Sequence, residues 1–243
     1  MGDKNSSLTR VQPLFDYIGV DLNKLNKFLS LFEVHTQITE PPISIKYGFD
    51  ETAIKPPREL LIWCINNVEK LNSKEFQKLK EEKSVTAKKR YALFCKDGAT
   101  ISEALEKLKE PIIPQSDWFV FEGYTHPDIF IETKNSIYIG EAKRTENRLT
   151  EHTKWLKDRD QLIRHVDSVI DGNKKVFSFF IVEEPQKYDF SKYKENEIYE
   201  KSLPHRTEQI KNLIKKTYIG YTTFREVNNI FNNEVHYRDN IYN

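Results

Sequence analysis

The stretch that decides the fold is "HPDIFIETKNSIYIGEAKR", residues His126–Arg144. Apolar and polar residues alternate along most of it, and the polar run Lys134-Asn135-Ser136 interrupts the alternation. Period-two alternation is typical of β-strands, and a short polar break between two such runs is typical of a hairpin connection. The stretch therefore predicts two antiparallel strands, over about 128–133 and 137–143.

Two acids and a lysine occupy positions in this hairpin where a buried strand pair would place apolar side chains. Because side chains alternate between the two faces of a strand, Glu141 and Lys143 must point to the same face. Asp128 begins the neighbouring strand, and a short hairpin brings that beginning beside the end of the other strand. We therefore expect Asp128, Glu141 and Lys143 to converge at one end of the sheet.

Such a cluster suits metal-assisted hydrolysis. Carboxylate oxygens are hard ligands that Mg²⁺ and Mn²⁺ prefer, and these ions keep waters and take further ligands from a phosphate substrate. A bound metal lowers the pKa of its water, and a lysine can orient that water or stabilise developing negative charge. A structural ion pair between neighbouring strands explains the same spacing, so spacing alone leaves both readings open.

Context distinguishes this cluster from other occurrences of Glu-x-Lys. The pattern also occurs at 81–83 and 132–134, but only Glu141-Ala142-Lys143 has a partner acid on an adjacent strand. Pro127-Asp128 followed by Glu141-Ala142-Lys143 resembles the PD-(D/E)xK nuclease superfamily, which has the restriction-endonuclease-like fold. The resemblance covers about residues 97–184.

The resemblance implies an α/β fold with a mixed central sheet flanked by helices in the order α-β-β-β-α-β. It implies that Asp128 and Glu141 bind Mg²⁺ (or Mn²⁺) and that Lys143 is the third catalytic residue. The triad is complete in its commonest form, which favours an active metal-dependent nuclease acting on DNA. A restriction or phage-defence nuclease is the first expectation. A DNA repair or recombination nuclease and a non-catalytic nucleic-acid-binding module remain alternatives.

Further roles in the superfamily fall on less distinctive residues. Many members add a metal-binding acid from the helix before the first strand, here Glu103 or Glu106. Glu122 is a rival, because a charge ending an aromatic strand is hard to explain by packing. Some members carry a catalytic glutamine on the helix after the lysine strand, with a polar or aromatic residue one turn later, as Gln161 and His165 do. A solvent-exposed helical position is the stronger explanation for Glu103 or Glu106 taken alone, and a plain surface helix explains Gln161 and His165 nearly as well.

The remaining segments predict a helical N-terminal extension over 1–96 and a nuclease-like core over 97–243. Residues 40–57 are bracketed by proline pairs, which indicates a loop or a short edge strand. The core is expected to contain a helix, a first strand, the hairpin, a long helix, a buried central strand and a further short strand, over about 97–110, 116–123, 128–143, 150–170, 174–184 and 221–224.

Composition leaves the function open. The chain has 243 residues, 38% hydrophobic and 31% charged residues and a net charge of +1, so any DNA-binding surface must arise from local charge segregation. Two basic groups are candidates for phosphate contacts, although solvated helix faces explain them too: Lys88, Lys89 and Arg90, and Arg144, Arg148 and Lys154. No segment suggests a membrane span or a signal peptide, so we expect a cytoplasmic protein. Many superfamily members cut duplexes as dimers, which makes a homodimer one expected arrangement.

Overall fold

Five segments rich in β-branched and aromatic residues form the strands of one sheet. The computed structural model describes residues 5–240. Its strands are β1 Ser44–Tyr47, β2 Ile129–Glu132, β3 Ser136–Lys143, β4 Lys175–Val182 and β5 Tyr218–Thr223. Their spatial order is β1-β2-β3-β4-β5, with antiparallel pairing from β1 to β3 and parallel pairing from β3 to β5. The fold is therefore α/β with a mixed, open five-stranded sheet flanked by helices.

The described part of the chain contains ten α-helices. They are α1 Gln12–Ile18, α2 Leu22–Leu29, α3 Arg58–Asn66, α4 Ser73–Leu79, α5 Val85–Phe94, α6 Gly98–Lys107, α7 Gln161–Asp167, α8 Glu197–Ser202, α9 Glu208–Lys215 and α10 Phe224–Ile230. A π-helical turn at Ser7–Val11 precedes α1. None of the helices between residues 5 and 240 is long and apolar enough to cross a membrane.

The two faces of the sheet pack against different helices, because both faces of the central strands are apolar. Tyr138 and Ala142 of β3 face a core that includes α1, α2 and α10. Ile137 and Ile139 face the opposite core, to which α7, α8 and α9 contribute. By alternation, Glu141 and Lys143 lie on the second face, towards α7. The prediction that residues 174–184 form a buried central strand is confirmed, since β4 lies between β3 and β5.

A third apolar cluster lies among the helices α3–α6. It includes Trp118, Phe119, Val120 and Phe121 together with Trp155. The edge strand β1, from the region expected to be a loop or a short edge strand, pairs with β2. The sheet and its core thus combine residues from both sides of position 96, and a domain boundary there stays a prediction.

The predicted strand over 116–123 is wrong, and so is the α-β-β-β-α-β order that depended on it. Trp118–Phe121 are buried, yet they pass through turns rather than a strand. Arg90 of α5 donates to the carbonyl oxygens of Trp118 (2.8 Å) and Val120 (3.2 Å), replacing partners that a neighbouring strand would supply. The place beside the hairpin is taken by β1, which comes from before the helical cluster. Apolar character predicted burial correctly but not the backbone conformation.

The long helix predicted over 150–170 is much shorter than expected. Only α7 forms there, and Asp160 caps its N-terminus by accepting a hydrogen bond from the Ile163 amide at 3.1 Å. Trp155, which lies within the predicted helix, packs in the third cluster, whereas Leu162 and Val166 pack against the sheet. The predicted helix therefore merged two segments that belong to different cores.

Candidate active site

The hairpin register places Asp128 opposite Glu141. Ile129 pairs with Gly140 in the antiparallel β2–β3 ladder, so the residue before Ile129 faces the residue after Gly140. Cross-strand partners of this kind point to the same face. The Ala142 amide donates to Asp128 Oδ2 at 2.8 Å, which fixes the Asp128 carboxylate against the end of β3. The two acids therefore meet at one end of the hairpin, as alternation and hairpin geometry predicted.

Lys143 lies on the same face and is held by two oxygen acceptors. Its Nζ is 3.3 Å from Glu141 Oε2 and 2.9 Å from Gln161 Oε1 on the first turn of α7. The side chains of Lys143 and Glu141 are 7% and 1% exposed, so solvent screens this pair only weakly. Gln161, selected from its position on the following helix, thus contacts the lysine of the cluster.

A series of buried hydrogen bonds, through His165 and Thr125, holds the Glu141 carboxylate. His165 Nε2 is 2.5 Å from Glu141 Oε1, and His165 Nδ1 is 2.5 Å from Thr125 Oγ1. The Arg164 guanidinium donates to Thr125 Oγ1 at 2.9 Å. The two ring nitrogens of His165 thus join Thr125 to Glu141, and Thr125 Oγ1 joins His165 to Arg164. Glu141 is consequently held in one orientation.

The electrostatic environments of the three charged groups differ. Burial raises the pKa of Asp128 well above its usual value, and the negative charges of Glu141 and Glu51 add to this. Burial would also raise the pKa of Glu141, but Lys143 and His165 outweigh it and lower that pKa. Burial opposes the charge on Lys143, yet Glu141 and Asp128 raise the pKa of the ammonium group. Asp128 is thus the acid with the least compensated charge.

Glu51 is an acid of this region that the sequence did not reveal. It follows a 3₁₀ turn after β1, and its Oε1 accepts a hydrogen bond from Ser7 Oγ at 2.7 Å. Its charge acts on Asp128. Glu51 reaches this place because β1 pairs with β2, which brings a loop from far along the chain to the hairpin end. No local pattern signals such a contact.

The acids expected as additional metal ligands lie elsewhere. Glu103 forms an ion pair with Lys89 at 2.5 Å, and Glu106 forms one with Lys109 at 2.5 Å. Between residues 5 and 240, no hydrogen bond or ion pair joins either glutamate to Asp128 or Glu141.

Glu122 is buried, and both of its oxygens accept hydrogen bonds from Arg159, at 3.0 Å in each case. Arg159 also donates to Asp167 at 2.7 Å, within a buried ionic network. The partner of Glu122 is therefore an arginine and not a second acid with which it could share a metal ion.

Some of the basic candidates for nucleic-acid contact are bound by other groups of the protein, and the others are exposed to solvent. Arg144 is buried and donates to Thr9 Oγ1 at 3.0 Å, and Arg90 is held by the backbone carbonyls described above. Lys89 is partly buried in its ion pair with Glu103. The remaining candidates are solvent-exposed and are Lys88, Arg148 and Lys154.

Two carboxylates, rather than a larger ligand set, are available to a metal ion at the hairpin end. Within residues 5–240, no three His, Cys, Asp or Glu side chains are grouped as a ready-made site. Asp128 and Glu141 nevertheless supply the hard oxygen donors that Mg²⁺ and Mn²⁺ prefer, and Mg²⁺ is commonly bound through one or two carboxylates plus waters and substrate phosphates. The donor set fits such an ion.

No family model, curated protein or solved structure matches this chain.

Proposed function

We propose that this protein is a divalent-metal-dependent nuclease that hydrolyses DNA phosphodiester bonds and is built on a restriction-endonuclease-like core. The convergence of Asp128, Glu141 and Lys143 at one end of the β2–β3 hairpin carries the proposal. These residues occur in the Pro127-Asp128 and Glu141-Ala142-Lys143 pattern that resembles the PD-(D/E)xK superfamily. A restriction or phage-defence role is our first choice, and a repair or recombination nuclease would use the same chemistry.

Each side chain has a defined role in this proposal. Asp128 and Glu141 would hold Mg²⁺ or Mn²⁺, which when bound polarises a phosphoryl oxygen and lowers the pKa of a coordinated water. Lys143 orients the attacking water or stabilises negative charge that develops on the phosphate. Gln161 holds the Lys143 ammonium at 2.9 Å, and His165 holds the Glu141 carboxylate at 2.5 Å.

A second candidate is a non-catalytic nucleic-acid-binding module in which the cluster is an ion-pair network. One observation favours it: Glu141 has both oxygens bonded, one by His165 and the other by Lys143. A paired lysine and glutamate stabilise a sheet end without any reaction. This candidate predicts DNA binding without metal-dependent cleavage.

The test is incubation with supercoiled plasmid, linear duplex and single-stranded DNA in Mg²⁺ or Mn²⁺. We expect cleavage by the wild type and a loss of at least about 100-fold in Asp128→Ala and Lys143→Ala, the lower range for removing an acid–base catalyst. Lys134→Ala is the matched control, because Lys134 belongs to the same hairpin and is exposed in the turn at its opposite end.

Circular dichroism and urea unfolding establish that each variant is folded. Full-rate cleavage by folded Asp128→Ala would contradict the assignment of the site. DNA binding by a wild type that never cleaves would support the binding module instead.

A further inference from the structure

A cleft with a volume of about 140 Å³ lies between the start of α3 and residues 111–124. Its walls are mainly apolar and include Pro56, Leu61, Ile113 and the ring of Tyr124. Small-molecule sites are typically apolar with a few placed polar groups. The cleft has the wall chemistry for a planar heteroaromatic group.

The cleft is tied to the catalytic cluster through Thr125. The Ile54 amide donates to the Thr125 carbonyl and the Thr125 amide donates to the Ile54 carbonyl, both at 2.9 Å, so the two edges of the cleft are joined here. Tyr124 is adjacent to Thr125, whose hydroxyl contacts His165 behind Glu141. Tyr124 and Asp128 are four residues apart, so their Cα atoms lie within about 14 Å. A strand crossing the site could place a nearby base in the cleft.

The polar and charged residues that line the cleft are Lys55, Arg58, Gln115 and Glu122, and the Glu122 carboxylate is paired with Arg159. Lys55 is exposed and, among the residues the structure describes, forms no hydrogen bond or ion pair. Arg58 donates one hydrogen bond to the Glu110 carbonyl at 2.7 Å and is otherwise directed to solvent. Both cations complement a phosphate backbone. The Gln115 amide offers a donor and an acceptor, which is what the hydrogen-bonding edge of a base requires.

We propose that this cleft binds one unstacked nucleobase of the substrate strand, with Lys55 and Arg58 contacting the flanking phosphates. The inference rests on the proposed nuclease function and specifies its substrate class. A base that is paired and stacked in a duplex cannot enter a concave cleft, so it must first leave the stack. The preferred substrates are therefore single strands, or duplexes with unpaired nucleotides beside the scissile bond.

The test measures binding by fluorescence anisotropy, in EDTA to prevent cleavage, with a labelled 12-nucleotide single strand and the corresponding 12-base-pair duplex. Ile113→Trp fills the cleft, and Ile112→Trp is its matched control because Ile112 is 71% exposed. Lys55→Ala combined with Arg58→Ala removes the cations. Lys175→Ala controls for charge, since Lys175 begins β4 beside Ser136, at the far end of the sheet from Lys143.

We expect the wild type to bind the single strand more tightly than the duplex. Filling the cleft and removing the cations should each weaken single-strand binding by about tenfold or more, because base–aromatic stacking contributes about 1–3 kcal/mol and about 1.4 kcal/mol is tenfold. Both controls should bind within about twofold of the wild type. Unchanged single-strand binding by folded Ile113→Trp and by the double variant would overturn the proposal, as would equal wild-type affinity for both probes.

Cleavage assays on the same variants separate this inference from the proposed function. Asp128→Ala should retain single-strand binding while losing cleavage. If the wild type never cleaves but Ile113→Trp loses binding, the base site stands and the nuclease assignment fails. If the wild type cleaves and Ile113→Trp binds and cleaves normally, the nuclease assignment stands and the base site fails.

Discussion

The Thr125 hydroxyl contacts two groups, one of which is bonded to Glu141, so replacing Thr125 by valine tests the support of Glu141. The residue is 1% exposed, and its Oγ1 contacts His165 Nδ1 and Arg164 Nε. Thr125→Val preserves the side-chain shape and removes only the hydroxyl. The variant leaves the buried imidazole nitrogen and the guanidinium each without this partner.

The expected loss of stability is the sum of these two contacts. A neutral hydrogen bond contributes about 1 kcal/mol and one involving a charged group about 1.5–3 kcal/mol, giving a loss of about 2.5–4 kcal/mol. With a urea m-value of about 3 kcal/mol/M, the unfolding midpoint should fall by about 0.8–1.3 M. Loss of the partner that orients His165 should also lower metal-dependent cleavage by about 10–100-fold, as for groups that orient metal ligands.

The assay is equilibrium urea unfolding followed by intrinsic fluorescence, together with plasmid cleavage at several Mn²⁺ concentrations. Thr125→Ser is the control, since it keeps the hydroxyl and loses one methyl group, worth about 1 kcal/mol. A midpoint for Thr125→Val within about 0.2 M of the wild type would refute the reasoning, because the hydroxyl would then hold neither His165 nor Arg164.

Two further predictions concern the core and the buried ionic network. Gly140→Ala should lower the free energy of unfolding by about 1–3 kcal/mol in urea unfolding, because a Cβ there would lie 2.5 Å from Phe179 Cε2 in a filled core. Gly98→Ala is the control, because nothing lies within 4 Å of its Cβ. Its free energy of unfolding should stay within about 0.5 kcal/mol of the wild type. Burial would raise the pKa of Asp167, but Arg159 and nearby groups lower it below 3.8, so its stabilising effect is complete above pH 3.8 and is lost as the pH falls below that value. Urea unfolding between pH 7 and pH 3 should therefore show a shallower loss of stability in Asp167→Asn than in the wild type.

The parts of the site that the sequence predicted are those fixed by local geometry. Alternation places Glu141 and Lys143 on one face whatever the rest of the fold does. Helical spacing likewise aligns Gln161 with His165, and both contact the cluster. The hairpin joins Asp128 to these residues over a short loop.

The parts that sequence reasoning missed depend on contacts between distant segments. Thr125 and Glu51 reach the site because β1 and Ile54 pair with the region before and within the hairpin. The segment 116–123 was misread because an apolar, aromatic run predicts burial in either a strand or a helical cluster. Its backbone partners, supplied by Arg90, could not be inferred from neighbouring residues.

Glu122, which is buried, and Asp128, which is half-buried, show which acids in apolar surroundings point to chemistry. Both interrupt apolar sequence, so both attracted a functional reading. Glu122 is bound by the Arg159 guanidinium, a partner of opposite charge that neutralises it. Among the described residues, the hydrogen-bond donor to Asp128 is a neutral backbone amide, and the charge with the largest effect on its pKa is another acid, Glu141, whose effect exceeds the opposite effect of Lys143. Two like charges held together in a poorly screened place repel each other, and a divalent cation between them removes that repulsion. The sign of the neighbouring group, rather than burial alone, is therefore the physical reason for proposing metal binding by Asp128 and a structural role for Glu122.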